Sequence, residues 1–308
     1  MTTNDGTLET IGTASAGMAA AVEVAAASVV TVRARRRIPA TGIVWSSTGL
    51  IVTADHAIED EDAITVVLPS GESRAARLLG RDPGADLALL QIEGATTAAT
   101  LAPADSVRVG QLALALGRPG PGIEASLGVV SAVGGPWRSR SGTQVAGHLR
   151  SDTTMFPGFS GGPLIDAGGR VLGMNSSRFR DQSIALPSDA VSALVALLQT
   201  HGRVRRAYIG IASQAVTLPT APATGVDGAA PGGQESGLLV VRVEPESPAA
   251  RAGLFVGDIL LSIEGSPTRR SEELQDALGP ERVGVAVRVQ MLRGGTPHEL
   301  TVTLGDRE

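Results

Sequence analysis

Between residues 157 and 164 the chain reads Pro157-Gly158-Phe159-Ser160-Gly161-Gly162-Pro163-Leu164, and six of these eight residues are Gly, Pro or Ser. An apolar pair, Leu164-Ile165, follows at once, and Arg170-Val171-Leu172-Gly173-Met174 returns after the turn signal Asp166-Ala167-Gly168-Gly169. A glycine-rich stretch hemmed in by β-type runs is no surface linker. Glycines at set offsets about one serine point to a tight turn whose backbone N–H groups converge on one spot. Acyl transfer needs such a turn, because a serine oxygen attacking a carbonyl generates an oxyanion that preorganised N–H donors can hold. The candidate donors are the amides of Gly158 and Ser160. Taken alone, a serine flanked by glycines is more often a plain turn.

A serine hydroxyl is a weak nucleophile without a base and a group that orients the base. The chain holds four histidines. His56 ends the apolar run Gly49-Leu50-Ile51-Val52-Thr53-Ala54-Asp55, where a rigid strand can present it to a cleft, whereas His148, His201 and His298 have polar or charged neighbours. Asp86 heads the apolar run Leu87-Ala88-Leu89-Leu90-Gln91-Ile92, a placement that buries charge at a cost unless a partner takes it. Each has a plain competitor: a strand-end surface histidine, and a turn aspartate that starts a strand. The order His56, Asp86, Ser160 is that of the chymotrypsin-type triad, not of subtilisin or the α/β-hydrolases.

Three local contexts together, residues 42–57, 85–89 and 158–164, resemble the HtrA/Deg serine proteases, and the resemblance extends over roughly residues 15 to 305. Short apolar runs over 29–32, 41–44, 50–53, 64–68, 75–79, 87–92 and 111–116, separated by Gly/Pro turns, argue for an all-β sandwich or barrel. The resemblance chooses a mainly β fold: a chymotrypsin-like double six-stranded β-barrel with the triad in the cleft, followed by a small α/β PDZ domain. It implies His56 as general base, Asp86 as its orienter, Ser160 as nucleophile and the Gly158 and Ser160 amides as oxyanion hole. Ser176 and Ser177 match the segment that pairs its backbone with extended substrate, and a small aliphatic side chain is expected before the scissile bond.

The expected domains are a flexible tail over 1–14, a protease unit over 15–202, and a linker with the PDZ domain over 203–308. Residues 18–27 suit a short helix, and 126–133 a strand before a long loop at 134–146. Residues 188–199 read as a helix with Val191, Leu194, Val195 and Leu198 on one face, Ser188 as cap and Gly202 as stop. Beyond it, Tyr208-Ile209-Gly210-Ile211 matches a PDZ carboxylate-binding loop, where backbone N–H groups capture a peptide C-terminus. By itself that motif is weak, since a glycine between isoleucines commonly marks ordinary strand packing. Glu246-Ser247-Pro248-Ala249-Ala250-Arg251-Ala252-Gly253-Leu254 and Gly257-Asp258-Ile259-Leu260 strengthen it; a helix over 271–278 capped by Ser271 would flank the groove, and 217–235 would be a mobile loop.

Composition narrows the partners. Apolar residues make up 43% and aromatics only 2%, so the core must be built from Val, Leu, Ile and Ala. The 26 basic residues, all arginine, face 31 acidic ones, and a net charge of −5 gives no reason to expect nucleic-acid binding. Arg33, Arg35, Arg36 and Arg37 read as a strand leading into a solvated loop. With no cysteine there is no disulfide and no thiolate metal site, and the resemblance requires no metal or cofactor. A polar start carrying Asp5 and Glu9, and an Ala-rich piece broken by Glu23, suggest neither secretory signal nor membrane span. The location expected from this is cytoplasmic, with an extracytoplasmic one as the alternative.

Two features depart from the family pattern. Phe159 stands where relatives carry a small polar residue, and either packs under the turn or crowds it so that the Gly158 amide points away. No aromatic residue precedes Trp45, whereas N-terminal aromatics often build the family's trimer. The resulting expectation is a serine endopeptidase that degrades unfolded or damaged polypeptide, in protein quality control and stress response, with a PDZ domain for peptide C-termini. The alternative is a latent or inactive protease acting as a peptide-binding chaperone or adaptor.

Overall fold

A computed structural model describes residues 4–138, 144–145, 147–178, 183–203, 207–218 and 234–306. The chain divides into two compact units, Met1–Val204 and Arg205–Glu308. The first opens with helix α1 (Asn4–Ala26). Strands β1 (Val29–Arg33), β2 (Ala40–Val44), β3 (Leu50–Thr53), β4 (Thr65–Val67), β5 (Ser73–Asp82) and β6 (Leu87–Ile92) close a barrel in the order β1-β2-β3-β6-β5-β4. Strands β7 (Leu112–Gly117) and β8 (Glu124–Gly134) follow, then a two-stranded ribbon of β9 (Trp137–Arg138) and β10 (Gln144–Val145). With β11 (His148–Ser151), β12 (Pro163–Asp166), β13 (Val171–Ser176) and β14 (Ser183–Pro187), β7 and β8 close a second barrel, β11-β14-β13-β12-β7-β8. Helix α2 (Ser188–His201) ends the unit.

Each barrel has an aliphatic interior, Val30, Val32, Ile51, Val66 and Leu90 in the first and Val130, Leu149, Leu164 and Leu172 in the second. A third apolar cluster lies on the seam, joining Ile43, Val52 and Leu87 of one barrel with Leu116, Ile165 and Met174 of the other. Ala21 and Ala25 of α1 and Val191, Val195 and Leu198 of α2 complete it, so the two helices clamp the barrels together. Among the largest fully buried side chains Phe159 is the single aromatic, in keeping with a core of Val, Leu and Ile.

The strands of the first barrel and β7 and β8 fall where the short apolar runs put them, but β11, β14 and the β9–β10 ribbon, which lies in the stretch expected as a long loop over 134–146, answer to no such run, and the helices differ in detail. The first helix begins at Asn4 and not near residue 18, so the stretch expected as a flexible tail over 1–14 is helical from residue 4. Its alanines favour helix strongly enough to carry Gly6, Gly12 and Gly17. Ser188 does not cap α2: β14 runs straight into the helix, Pro187 holds the cap position, and Ser188 is the first helical residue. Gly202 does stop it, at φ +69 with its N–H on the Leu198 carbonyl at 2.8 Å.

In the second unit β15 (Ala207–Tyr208) pairs with β22 (Gly305–Asp306). A separate sheet runs β16 (Ile211–Thr217), β17 (Ser236–Val243), β18 (Ile259–Ile263), β20 (Ala286–Arg293) and β21 (Thr296–Thr303), with β19 (Ser266–Pro267) beside β18. Helix α3 (Pro248–Ala252) is capped by the Ser247 hydroxyl, which accepts the Ala250 N–H at 3.1 Å. Helix α4 (Ser271–Asp276) lies against β16; Arg270, not Ser271, sits at its cap, and Glu273 accepts the Arg269 N–H instead. Most of the loop expected over 217–235, and residues 204–206 of the expected linker, lie outside the described residues.

Candidate active site

His56 sits in a single 3-10 turn, Asp55–Ala57, just past β3, and Asp86 in the connection entering β6. Pairing of β3 with β6 sets Thr53 opposite Ala88, which brings the two residues side by side. Asp86 is fully buried and takes φ +56, a left-handed conformation that an L residue adopts only under constraint. The constraint is a set of donors. The His56 backbone N–H reaches Oδ1 at 3.0 Å, His56 Nδ1 lies 2.9 Å from both carboxylate oxygens, and the Ser176 hydroxyl donates to Oδ2 at 2.5 Å. An ionised carboxylate only accepts, so Nδ1 carries the imidazole proton and Nε2 is left with its lone pair.

Ser160 lies at the end of β2 by way of its backbone: the Thr41 N–H donates to the Ser160 carbonyl at 3.2 Å. Gly161, at φ +84, packs so tightly that a Cβ there would fall 2.2 Å from the Thr41 oxygen and 2.8 Å from the Ala54 nitrogen. The Ser160 turn is thereby pressed against the residues that lead into His56. The Ser160 hydroxyl itself pairs with the Ser177 hydroxyl at 2.7 Å and accepts the Ser177 N–H at 3.2 Å; no hydrogen bond links it to His56. Consecutive residues at the end of β13 thus touch two of the candidate residues, Ser176 the Asp86 carboxylate and Ser177 the Ser160 hydroxyl.

Ahead of Ser160, the Phe159 N–H donates to the Phe156 carbonyl at 3.1 Å, and Gly158 takes φ +91. Pro157 followed by a left-handed glycine makes this a type II turn. Among the described residues the amides of Gly158 and Ser160 donate to no protein acceptor, as an anion site requires. Phe159 points inward: it is fully buried, its ring would be 2.2 Å from a Cβ on Gly117, and it meets Phe156 edge to face at 5.3 Å. This inward packing is what the first of the two alternatives the sequence leaves open requires.

In the second unit the Ile209 carbonyl accepts the Ala249 N–H at 2.8 Å and the Gly210 carbonyl accepts that of Glu244 at 2.9 Å. With Gly210 at φ +85, the amides of Ile209 and Gly210 have no acceptor among the described residues. Tyr208 hydrogen-bonds Glu244 through its hydroxyl, and Ile211 starts β16, an edge strand whose outer side pairs with no strand among the described residues.

Sequence reasoning had Ser176 and Ser177 only as backbone; their hydroxyl contacts, and those of Thr41, were invisible to it because the partners lie far away along the chain. Among the described residues no group of three or more His, Cys, Asp or Glu could hold a metal, and no helix is long and apolar enough to cross a membrane.

Comparison with known proteins bears on the same two units. Residues 40–174 match the trypsin-like peptidase domain, and residues 207–304 the PDZ domain. A probable periplasmic serine endoprotease DegP-like of Pseudomonas putida (strain W619) is 33% identical over 273 residues, 86% of this chain and 55% of that protein. Its counterpart in Marinomonas sp. (strain MWYL1) is 34% identical over 275 residues, 87% and 57% of the two chains. The chain therefore spans about half the length of the curated relatives it matches. Among solved structures, HtrA-type protease AlgW with a tripeptide is 30% identical, with a TM-score of 0.72 over 94% of this chain and 97% of that one. AlgW with a decapeptide gives 26% and 0.76 over 94% and 99%, and the serine endoprotease from Yersinia pestis 29% and 0.75 over 94% and 97%. A PDZ domain and peptide-bound neighbours support peptide binding. The relatives' names overturn the cytoplasmic expectation, since they are periplasmic proteins and point to an extracytoplasmic location; a polar, Ala-rich start was no measure of destination. Two barrels with a serine turn on their seam, a PDZ unit, and this pattern of relatives make the chain a member of the HtrA/Deg family of serine proteases.

Proposed function

We propose that the protein is a serine endopeptidase that cleaves unfolded or damaged polypeptide outside the cytoplasm. The observation that carries this reading is the bonded set at Asp86, whose buried carboxylate holds His56 Nδ1, the His56 backbone N–H and the Ser176 hydroxyl. Asp86, dry and saturated with donors, fixes the imidazole tautomer and stabilises the imidazolium that forms in turn. An extended substrate laid along Ser176 and Ser177 brings its carbonyl over Ser160. The Ser160 hydroxyl then leaves Ser177 and turns to His56 Nε2, a contact that in unliganded enzymes is often long and tightens only with substrate. His56 takes the proton, Ser160 attacks, and the amides of Gly158 and Ser160 receive the oxyanion. His56 next protonates the leaving amine, and water repeats the sequence on the acyl-enzyme.

For the second unit the reading is capture of a peptide C-terminus. The amides of Ile209 and Gly210, which have no acceptor among the described residues, suit a carboxylate, and the edge of β16 beside α4 suits an added strand.

The Ser160→Ala variant tests the proteolytic reading. It should keep the far-ultraviolet circular dichroism of the parent and lose casein cleavage by several orders of magnitude, and a fluorophosphonate should label the parent at Ser160 and not the variant. Equal cleavage by variant and parent would overturn the assignment. A parent that is folded, binds C-terminal peptides and resists labelling would instead support the adaptor reading, which the Ser160–Ser177 bond favours.

A further inference from the structure

The geometry points to Thr41 of β2 as a positioning residue for the oxyanion turn. It acts from the first barrel on backbone that belongs to the second, and it rests on the proteolytic reading above.

Thr41 is fully buried and every polar atom it owns is engaged. Its hydroxyl lies 2.7 Å from the Gly158 carbonyl oxygen and 2.8 Å from the Arg118 backbone nitrogen. An amide N–H can only donate, so the hydroxyl accepts from Arg118 and its single hydrogen is directed at Gly158. Its N–H donates to the Ser160 carbonyl at 3.2 Å, and its carbonyl accepts the Thr53 hydroxyl at 2.7 Å. One residue therefore holds the carbonyls of both residues whose amides are the proposed oxyanion donors.

The Gly158 carbonyl is where such a hold matters most. Glycine crosses between left- and right-handed φ at little cost, so nothing intrinsic to Gly158 keeps it at φ +91. A rotation of the Pro157–Gly158 peptide unit would turn its N–H out of the site. Two hydrogen bonds fix the peptide that follows, the Thr41 hydroxyl on its carbonyl and Phe156 on its N–H. With that unit immobile, and with Pro119 and Pro39 crowding the α-carbon, the Gly158 amide keeps its direction.

The anchor is itself anchored. The Thr31 hydroxyl donates to the Arg118 carbonyl at 2.7 Å, and the buried Arg118 guanidinium donates to the carbonyls of Val29 at 2.8 Å, Pro121 at 3.2 Å and Ala26 at 3.1 Å. No carboxylate accompanies it among the described residues, and burial pulls its pKa down from the ordinary arginine range. Ala26 is the last residue of α1, so a cation satisfies the carbonyl end of that helix and at the same time sets the amide that orients Thr41.

The test is steady-state cleavage of a chromogenic peptide by the full chain, with Thr41→Val and Thr41→Ser beside the parent. Valine keeps the shape and the backbone N–H and removes the hydroxyl. It should lower kcat about 100- to 1000-fold, as loss of one oxyanion donor does. KM should stay within about twofold, and fluorophosphonate labelling should slow in parallel. Thr41→Ser should recover activity to within a few-fold, and the pH profile of kcat should keep its shape, because His56 and Asp86 are untouched. A residue that merely supports the fold would show its loss in thermal unfolding and not in a kcat-only defect rescued by serine. Should Thr41→Val fail to fold, Thr41→Cys, with a weak S–H donor, is read the same way and is expected between the two. A Thr41→Val enzyme as fast as the parent would overturn the proposal and leave the proteolytic reading intact; a parent that cleaves nothing and is not labelled would overturn both.

Discussion

Truncating Phe159 to alanine probes whether an aromatic residue can stand inside the oxyanion turn as a prop. The side chain is fully buried among Ala113, Ala115, Leu164 and Leu172, lies edge to face with Phe156, and fits only because Gly117 carries no Cβ. Removing a buried phenyl ring loses its transfer free energy and leaves a cavity that a closed barrel cannot collapse, about 3–5 kcal/mol together. In a unit of 204 residues each kcal/mol moves Tm by about 2–4 °C, so the first transition should fall by about 6–20 °C. Both tryptophans, Trp45 and Trp137, belong to that unit, so urea unfolding of the full chain followed by tryptophan fluorescence reports it alone. The midpoint should drop with the slope unchanged. Because the ring holds the turn from below, casein cleavage under folding conditions should fall as well. A loss under about 1 kcal/mol, or a variant faster than the parent, would refute this reasoning and make Phe159 an obstruction, not a prop.

Two further outcomes follow from single contacts. In Ser177→Ala the Ser160 hydroxyl loses its competing partner, a hydrogen bond of about 0.5–1.5 kcal/mol, so fluorophosphonate labelling should quicken up to about tenfold; unchanged or slower labelling would show that the Ser160–Ser177 pair is no brake. In the PDZ unit, burial pushes the Asp258 carboxyl up, but Arg293, at 2.7 and 2.8 Å, and the Phe255 N–H outweigh it and hold the group below the ordinary aspartate range. A carboxyl depressed in the folded state contributes stability that is whole above the ordinary aspartate range and lost as pH falls through its lowered value. Asp258→Asn should therefore cost this unit about 1–2 kcal/mol near neutral pH, the lower part of the usual range because Arg293 is 35% exposed. The gap should close as pH falls through that lowered value, by circular dichroism in urea, and a gap independent of pH would refute the ion pair's part in it.

What the sequence makes legible follows from how local each feature is. Alternating apolar runs and Gly/Pro turns are written within a few residues, and so the strands of the first barrel, β7 and β8 of the second, the α2 stop at Gly202 and the glycine turn around Ser160 could be read directly, whereas β11 and β14, short and flanked by polar residues, could not. The three candidate residues of the proposed triad could be picked out because each sits in a short recognisable context. The first helix was harder: its alanines and three glycines carry little hydrophobic signal, and among its described side chains Ala21 and Ala25 are the ones buried in the seam. Caps were misassigned where an element ran into the next without a turn, as Pro187 does before Ser188.

The hydroxyls were not legible at all, for a reason that is physical. Thr41 meets Gly158 across 117 residues and Ser176 meets Asp86 across 90, and a hydroxyl in a strand looks the same in sequence whichever distant group it will satisfy. Closure of two barrels on one seam decides those pairings, because it brings the ends of β2 and β13 against the serine turn and buries them where an unmet polar group is costly. A local pattern can thus name the groups that react, while the groups that aim them are fixed by topology. In this chain the atoms of Ser160 and His56 proposed to react are borne on short turns that could relax, and the buried hydroxyls of Thr41 and Ser176 belong to paired strands that cannot.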